Sequence, residues 1–352
     1  MTNTSPLRIA IIGDRFMQPT YFQQAIEVLP KSGRSFEFRH LELDWPDTPF
    51  IHGTPGTATA GLREFLGDPA EMAAFIGDAQ VLVTHLSPVT SSMLEACRAL
   101  QLIAVSRGGP VNIDMQAARA RGVPVVNAPG RNSTAVAEFT IGMILAQTRL
   151  LTLGHVSLSK GDWRGDLYRA DRTGEELCNL TVGLIGYGHI GTKVVRLLKA
   201  FGCRIIVADP YATVTGADLK DGVEQVDLKT LLAQSDVVSL HARVTPETTG
   251  FMNAASFAQM KQGAYFINTA RGPMVDYASL YTALTNGHLR GAGIETFDVE
   301  PPNPDSPLLR LPNVSLTPHI AGASIKTVKH AAAMVAEELR RFLSGEPPLN
   351  PS

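Results

Sequence analysis

The sequence predicts an α/β protein with two doubly wound parallel sheets. Short apolar runs alternate with helical spacers along the chain, a glycine-rich turn at 186–191 joins one run to a helix, and an amphipathic segment at 324–343 follows the last run. Strands that alternate with helices favour parallel sheets, which helices cover on both faces.

The N-terminal region contains three strand-like runs. Residues 8–13, 81–85 and 102–105 are apolar, and turns and helical spacers separate them, as in a parallel α/β unit. The stretch 52–61 is rich in Gly, Thr and Pro, which predicts a surface loop. We therefore predict a small α/β unit at the start of the chain.

A second α/β unit is predicted to begin near Arg131. Its six strand candidates are short and apolar on both faces, as expected for a sheet buried by helices: 182–185, 204–208, 236–240, 264–268, 291–296 and 313–316. Helical patterns run over 133–153 and over 276–286, which Gly287 closes as a C-cap signal. The segment 324–343 has no strand after it, so we expect it to return to the N-terminal unit and make that unit discontinuous.

Length and composition exclude several classes of function. A chain of 352 residues suggests two domains, and its net charge of −2 gives no reason to expect nucleic acid or an anionic membrane as a partner. The cysteines Cys97, Cys178 and Cys203 are far apart and odd in number, which argues against a disulfide framework or a metal site and favours the cytoplasm. Residues 1–8 are polar and do not predict a signal peptide, and 139–153 is too short and interrupted to span a bilayer.

The glycine turn has the spacing Gly186-x-Gly188-x-x-Gly191, between a strand and a helix predicted over 190–201. In a dinucleotide-binding turn the first glycine permits the sharp turn, the second lets the pyrophosphate approach the backbone, and the third lets the helix pack closely. Asp209 ends the next strand, where a carboxylate can accept both ribose hydroxyls and repel a 2′-phosphate. The pattern favours NAD over NADP, and a purely structural glycine turn is the alternative.

Three polar residues follow predicted strands of the second unit: Arg271, Glu300 and His319. Strand ends of a parallel sheet share one edge, so these side chains are expected to converge. A guanidinium can hold a carboxylate with two hydrogen bonds, and an imidazole beside a carboxylate can exchange a proton near neutral pH. These groups suit the reduction of a 2-oxo acid. A surface ion pair and a structural histidine are the alternatives. For His241, which also ends a strand, we predict a structural or cofactor-packing role.

Several longer motifs follow one another between residues 99 and 323. They are 125–130 (VVNAPG), 135–138 (AVAE), the glycine turn, 245–250 (TPETTG), 268–272 (NTARG), Glu300-Pro301 and 317–322 (TPHIAG). With these motifs the chain resembles the D-isomer-specific 2-hydroxy acid dehydrogenases, the family of phosphoglycerate dehydrogenase and glyoxylate/hydroxypyruvate reductase.

The resemblance implies two Rossmann-like domains. An NAD-binding domain of residues 131–321 would be inserted into a discontinuous, flavodoxin-like substrate-binding (lid) domain of residues 1–130 and 322–352. It also implies a homodimer that interconverts a D-2-hydroxy acid and its 2-oxo acid with NAD and without a metal. Arg271 would hold the substrate carboxylate, Glu300 and His319 would form the acid/base pair, and the backbone of Gly108 and Gly109 would bind the carboxylate. Expected cofactor contacts are Gly186, Gly188, His189, Ile190, Gly191, Asp209, Ala242, Thr269, Ala270 and Glu295.

Two positions depart from the family pattern. Glu295 stands where the family usually has Asp, near the nicotinamide carboxamide, and it reaches one methylene further. Arg107 adds a cation beside the expected carboxylate site, so we predict that it contacts substrate and hypothesise a second anionic or polyhydroxylated end on that substrate. A solvent-facing or structurally paired arginine is the equal alternative. His85, Leu86 and Ser87 follow a strand of the first unit and are expected to line the same cleft.

Two other functions are alternatives to this one. An NAD-sensing binding protein, similar to the dehydrogenase-like transcriptional corepressors, keeps the same three polar residues and differs by having little turnover. The lack of a basic patch or a disordered tail argues against it. Formate dehydrogenases of the same superfamily usually replace the glutamate with glutamine, and their chemistry releases no hydroxyl proton.

Overall fold

The computed structural model describes residues 5–29, 34–46 and 50–352, so the predicted absence of a signal peptide at 1–8 falls partly outside the described residues. The chain forms two compact units. The first unit comprises the described residues of Met1–Asn132 and Ala323–Ser352, and the second unit is Ser133–Gly322.

The first unit contains a five-stranded parallel sheet in the order β2-β1-β3-β4-β5. Its strands are β1 (Leu7–Asp14), β2 (Phe36–Leu43), β3 (Val81–Thr84), β4 (Leu102–Val105) and β5 (Val125–Val126). This is the flavodoxin-like order, and it reverses between β1 and β3. The three predicted strands are confirmed as β1, β3 and β4.

The helices of the first unit include one from the far end of the chain. They are α1 (Pro19–Glu27), α2 (Pro69–Ile76), α3 (Ser91–Ala96), α4 (Met115–Ala120) and α12 (Ile325–Leu343). The buried face of α12, with Val328, Val335 and Leu339, shares a core with Leu7 and Ile9 of β1. Each such apolar side chain stabilises the unit by about 1.5–3 kcal/mol when fully buried. The predicted return of this helix is confirmed.

The chain after α12 is tied back to that helix by one carboxylate. The buried Glu338 accepts hydrogen bonds from the backbone N–H groups of Leu349, at 3.1 Å, and Asn350, at 2.8 Å, and from the Asn350 side chain. Pro351 then forms a bridge with Val126 of β5. The C-terminal segment is therefore part of the first unit.

The second unit contains a seven-stranded parallel sheet in the order β12-β11-β10-β9-β6-β7-β8. Its strands are β6 (Thr181–Ile185), β7 (Arg204–Ala208), β8 (Glu224–Gln225), β9 (Val237–Leu240), β10 (Ala264–Asn268), β11 (Leu289–Ile294) and β12 (Val314–Leu316). All six predicted strands are confirmed, with ends that differ by up to two residues. The order is the Rossmann order with one more strand, and it reverses between β6 and β9.

Helices flank the second sheet. They are α5 (Ser133–Thr148), α6 (Leu151–Ser159), α7 (Gly191–Leu198), α8 (Gly216–Lys220), α9 (Leu228–Gln234), α10 (Ala254–Gln259) and α11 (Tyr277–Thr285). The prediction of one helix over 133–153 is wrong. Leu150 adopts a left-handed conformation, with φ of 57°, and α5 and α6 meet there at 68°. Among the described residues no single helix is long and apolar enough to cross a membrane, and only this bent pair has the necessary length and composition.

Candidate active site

The glycine turn lies where the second sheet reverses its strand order, between the ends of β6 and β9. Gly186 has a φ of 105°, and a Cβ on it would lie 2.7 Å from the carbonyl carbon of His241 and 2.8 Å from the nitrogen of Ala242. A Cβ on Gly191 would lie 2.3 Å from the Gly186 oxygen, whereas Gly188 has nothing within 4 Å of that position. Close packing therefore requires two of the glycines, and the third leaves the backbone open to a ligand. This arrangement fits a dinucleotide pyrophosphate at the start of α7.

Asp209 follows β7 and is fixed next to this turn. Its Oδ2 accepts a hydrogen bond from the N–H of Tyr187 at 2.7 Å, and its Oδ1 accepts from Tyr211 at 2.8 Å and Ala212 at 2.9 Å. Partial burial alone would raise the pKa of Asp209, but these three N–H groups hold it below its ordinary value. The carboxylate is therefore ionised and oriented at the strand edge.

The remaining cofactor candidates also follow strands of the second sheet. His189 and Ile190 lie in the glycine turn, Ala242 follows β9, and Thr269 and Ala270 follow β10. The Thr269 hydroxyl lies 2.8 Å from that of Thr140 in α5. The fold therefore places all the cofactor candidates at the C-terminal ends of parallel strands, where α/β sheets bind ligands.

His241 is held by its surroundings. Its ring Nε2 lies 2.9 Å from the hydroxyl of Ser239, and its backbone N–H donates to the carbonyl oxygen of Ile185 at 2.7 Å. Burial of the ring lowers the pKa of His241 to about 3, so the imidazole is neutral at ordinary pH. These contacts agree with a structural or packing role.

Arg271 follows β10, and its neighbour Gly272 brings the backbone against the segment after β11. A Cβ on Gly272 would lie 1.8 Å from the carbonyl oxygen of Phe297, so only glycine fits there. The Arg271 side chain donates from Nη1 to the oxygen of Ala270 at 2.8 Å. The rest of the exposed guanidinium remains available for a carboxylate.

His319 and Glu300 form a hydrogen-bonded pair. His319 Nδ1 lies 2.7 Å from Glu300 Oε2, and Glu300 Oε1 accepts from the N–H of Phe297 at 2.9 Å. Burial alone would lower the pKa of His319, but the Glu300 carboxylate raises it above its ordinary value. Burial would raise the pKa of Glu300, but the bond to His319 holds it below its ordinary value. Arg271 lies close enough to lower the pKa of both groups.

Glu295 anchors the turn that carries His319. His319 has a φ of 52°, a conformation that few residues other than glycine adopt. Its N–H donates to the Glu295 carbonyl oxygen at 3.0 Å, and the N–H of Ala321 donates to Glu295 Oε1 at 2.8 Å. Glu295 is 1% exposed, and burial raises the pKa of its carboxyl. One oxygen is thus committed to the His319 turn, and contact with the nicotinamide carboxamide stays a prediction.

The predicted substrate loop of the first unit is open at its glycines. Gly108 and Gly109 have nothing within 4 Å of an added Cβ. The Arg107 side chain is 13% exposed and forms an ion pair with the Glu64 carboxylate, and its Nη1 donates to the Glu64 carbonyl oxygen at 3.0 Å. In this structure the paired-arginine alternative therefore describes Arg107 better than a role in substrate binding.

Sequence reasoning does not single out Arg131, although the structure places it in a buried cluster with His85 and Asp14. Its position in the sequence could have indicated a role, because Arg131 directly follows the turn after β5, at the same sheet edge as the ends of β1 and β3.

No group of three or more His, Cys, Asp or Glu side chains in the described part of the chain could hold a metal ion.

Comparison with known proteins identifies the family. The family model described as "D-isomer specific 2-hydroxyacid dehydrogenase, NAD binding domain" matches residues 141–321. The chain belongs to this family. The match also confirms NAD as the cofactor of the second unit.

Relatives match well beyond the cofactor-binding part. A D-3-phosphoglycerate dehydrogenase from Methanocaldococcus jannaschii is 39% identical over 78% of this chain and 52% of its own length. A glyoxylate reductase from Korarchaeum cryptofilum is 37% identical over 95% of this chain and 96% of its own. A structure of D-2-hydroxyisocaproate dehydrogenase is 28% identical, covers 98% of this chain and 99% of its own, and has a TM-score of 0.80.

The fold class predicted from the sequence is confirmed by these comparisons. The chain spans about half the length of the D-3-phosphoglycerate dehydrogenases that it matches. All three relatives named above are described as dehydrogenases or reductases, so an NAD-sensing binding protein has no support among them.

Proposed function

We propose that this protein is an NAD-dependent oxidoreductase that interconverts a D-2-hydroxy acid and its 2-oxo acid. The observation that carries the proposal is the 2.7 Å contact between His319 Nδ1 and Glu300 Oε2, beside the exposed guanidinium of Arg271. Membership of the dehydrogenase family and the named relatives support it.

Each side chain has a distinct part in the reaction. When bound at the glycine turn, NADH would supply the hydride for reduction and NAD⁺ would accept it in oxidation. As negative charge develops on the carbonyl oxygen of a 2-oxo acid, protonated His319 donates its Nε2 proton to that oxygen, because Nδ1 is held by Glu300. In the oxidation of a hydroxy acid, neutral His319 accepts the hydroxyl proton. Arg271 binds the substrate carboxylate through paired hydrogen bonds and polarises the adjacent carbonyl.

The proposal extends to the cofactor and the domains. Gly186, Gly188 and Gly191 would hold the pyrophosphate, and Asp209 would accept the ribose hydroxyls and so prefer NAD to NADP. The segment 131–321 would be the NAD-binding domain, and 1–130 with 322–352 the substrate-binding domain. The backbone of Gly108 and Gly109 would bind the substrate carboxylate. The open positions at these two glycines and at Gly188 support these roles.

We further propose a cytoplasmic homodimer, which the family resemblance supports. Light scattering coupled to size-exclusion chromatography measures the assembly directly. A mass of about 38 kDa in solution, equal to the 37.8 kDa chain, would exclude the dimer.

The test of the activity is an NADH-oxidation screen with glyoxylate, hydroxypyruvate and 3-phosphohydroxypyruvate, followed by His319→Ala. We expect His319→Ala to lower kcat by about 10²–10⁴-fold while NADH binding, measured by fluorescence, persists. His155→Ala, which removes an exposed imidazole from α6 of the same unit, is the matched control and should keep the wild-type rate. Near-wild-type turnover by His319→Ala would refute the acid/base assignment, and inertness of the wild type with all three acids would refute the activity.

A further inference from the structure

The first sheet has its own strand-order reversal, between β1 and β3, and polar side chains occupy it. Asp14 is the last residue of β1, and His85 follows β3 directly. The N–H of His85 donates to the oxygen of Ile12 at 3.3 Å, which keeps the two strand ends side by side. In open α/β sheets the crevice at such a reversal is the usual place for a ligand.

A chain of hydrogen bonds runs from Asp14 through His85 to Arg131. Asp14 Oδ2 lies 2.6 Å from His85 Nδ1, and His85 Nε2 lies 3.3 Å from Arg131 Nη2. The arginine can only donate, so Nε2 accepts and Nδ1 carries the proton that is donated to Asp14. Burial of the ring, which is 4% exposed, lowers the pKa of His85 to about 4, which agrees with a neutral imidazole.

Arg131 is left with an unsatisfied donor. Its Nη1 is buried and has no hydrogen-bond partner among residues 5–29, 34–46 and 50–352. A buried donor without a partner is costly, and a guanidinium nitrogen more so than a neutral group. The neutral ring of His85 links the Asp14 carboxylate to Arg131 Nη2. Asp14 therefore does not accept a hydrogen bond from Arg131 Nη1. The arrangement holds one side of the guanidinium fork and leaves the other for an acceptor.

The turn that leads to Arg131 is bonded to the loop of Gly108 and Gly109. The N–H of Ala128 donates to the oxygen of Arg107 at 2.7 Å, and Asn127 Nδ2 donates to the oxygen of Gly108 at 3.2 Å. The unsatisfied nitrogen thus belongs to the same edge of the first sheet as the loop that we propose for the substrate carboxylate. Arg107 is the other cation at this edge, but Glu64 already occupies it.

We propose that Arg131 binds an oxyanion of the substrate other than its 2-oxo carboxylate, namely a second carboxylate or a phosphate. This inference rests on the proposed function. It transfers the recognition of a second anionic group from Arg107 to Arg131, because Arg131 has a buried guanidinium nitrogen without an acceptor, whereas Arg107 is paired with Glu64. The free Nη1 carries two N–H donors, and the oxygens of a carboxylate or a phosphate can accept from them.

The kinetic test compares three substrates with NADH. Glyoxylate has a single carboxylate, oxaloacetate adds a second one, and 3-phosphohydroxypyruvate adds a phosphate. We expect Arg131→Met to lower kcat/KM for at least one dianionic acid by about 10- to 100-fold more than it lowers kcat/KM for glyoxylate. The acid that shows the larger loss identifies the group. Equal losses on all three acids would overturn the inference.

Two further variants keep the test decisive. Arg131→Lys retains the charge without the fork and should reduce the same ratio by less, and it serves if Arg131→Met does not fold. Arg121→Met, which removes a half-buried arginine of the first unit, is the matched control and should leave the ratio at its wild-type value.

A binding measurement separates this inference from the proposed function. Inorganic phosphate should raise the melting temperature of the wild type and of Arg121→Met, and raise it much less in Arg131→Met. This readout needs no turnover, so a wild type that oxidises NADH with none of the acids refutes the activity and leaves the site testable. The same phosphate-induced shift in all three proteins would overturn the site.

Discussion

Replacing Glu300 with glutamine should move the pH dependence of the reaction in a defined direction. Glu300→Gln keeps the shape and an oxygen near His319 Nδ1 but removes the charge that raises the pKa of His319. A neighbouring opposite charge favours the protonated imidazole, so its loss should lower the pKa of His319. The two side chains are 41% and 35% exposed, so solvent screens part of this effect.

The sign differs between the two directions of the reaction. Reduction of a 2-oxo acid needs protonated His319, so its kcat/KM falls as the pH rises through the pKa, and in Glu300→Gln the fall should come at a lower pH. Oxidation needs the neutral ring, so the variant should keep its oxidation rate down to a lower pH than the wild type. Profiles of kcat/KM from pH 5 to 10 in both directions measure the shift. Glu176→Gln, at an exposed site of the same unit, is the control. Superimposable profiles for wild type and Glu300→Gln would show that this carboxylate does not set the pKa.

Three further outcomes concern stability and can be measured by urea unfolding. Gly272→Ala should lose at least about 2 kcal/mol, because its Cβ would lie 1.8 Å from the Phe297 oxygen, whereas Gly142→Ala, in α5 with open space around it, should gain up to about 1 kcal/mol. The folded-state pKa of His85, about 4, lies below its ordinary 6.5, so stability should fall by about 3 kcal/mol as the pH drops through that window, and by much less in His85→Gln. Glu338→Ala should cost about 1–3 kcal/mol and speed hydrogen exchange in the C-terminal segment; an unchanged exchange rate would contradict the proposed anchor.

The strands of the second sheet are predictable because helices cover both of their faces. β10, for example, is apolar or small enough to be buried at every position, so a continuous run marks it. The same reasoning does not find β2, because exposed residues alternate along this strand and it pairs on one side only, with β1. β8 has two exposed polar residues, Glu224 and Gln225, and carries no apolar signal at all.

The break between α5 and α6 has no local cause in the sequence. Residue 150 is a leucine rather than Gly or Pro, and the surrounding residues are compatible with a continuous helix. The structure instead shows contacts with a distant strand: the buried Gln147 donates to the Ser315 hydroxyl at 2.7 Å, and the Thr152 hydroxyl lies 2.5 Å from the same oxygen. Tertiary hydrogen bonds across the bend thus accompany a conformation that helix propensity does not indicate.

The candidate site, like the fold, is only partly predictable from the sequence. Motif spacing places Arg271, Glu300 and His319 at strand ends, and the topology of a parallel sheet then implies that they converge. The link from Glu295 to Ala321 and the link from His85 to Arg131 join residues 26 and 46 positions apart, through single hydrogen bonds that no spacing rule anticipates. The sequence therefore predicts the proposed catalytic residues more easily than it predicts the residues that hold them in place.

Both sheets reverse their strand order once, but different chemical groups line the two crevices. At each reversal, neighbouring strands send the chain in opposite directions, and a crevice opens between their ends. In the second unit the crevice is lined by backbone, since Gly186 packs against the backbone of His241 and Ala242, which suits a pyrophosphate bound by N–H groups. In the first unit Asp14, His85 and Arg131 line it, which suits a smaller anion held by a fixed guanidinium. Under the proposed role of Arg131, side chains at the first reversal would select the substrate, while the glycine turn at the second reversal would bind NAD.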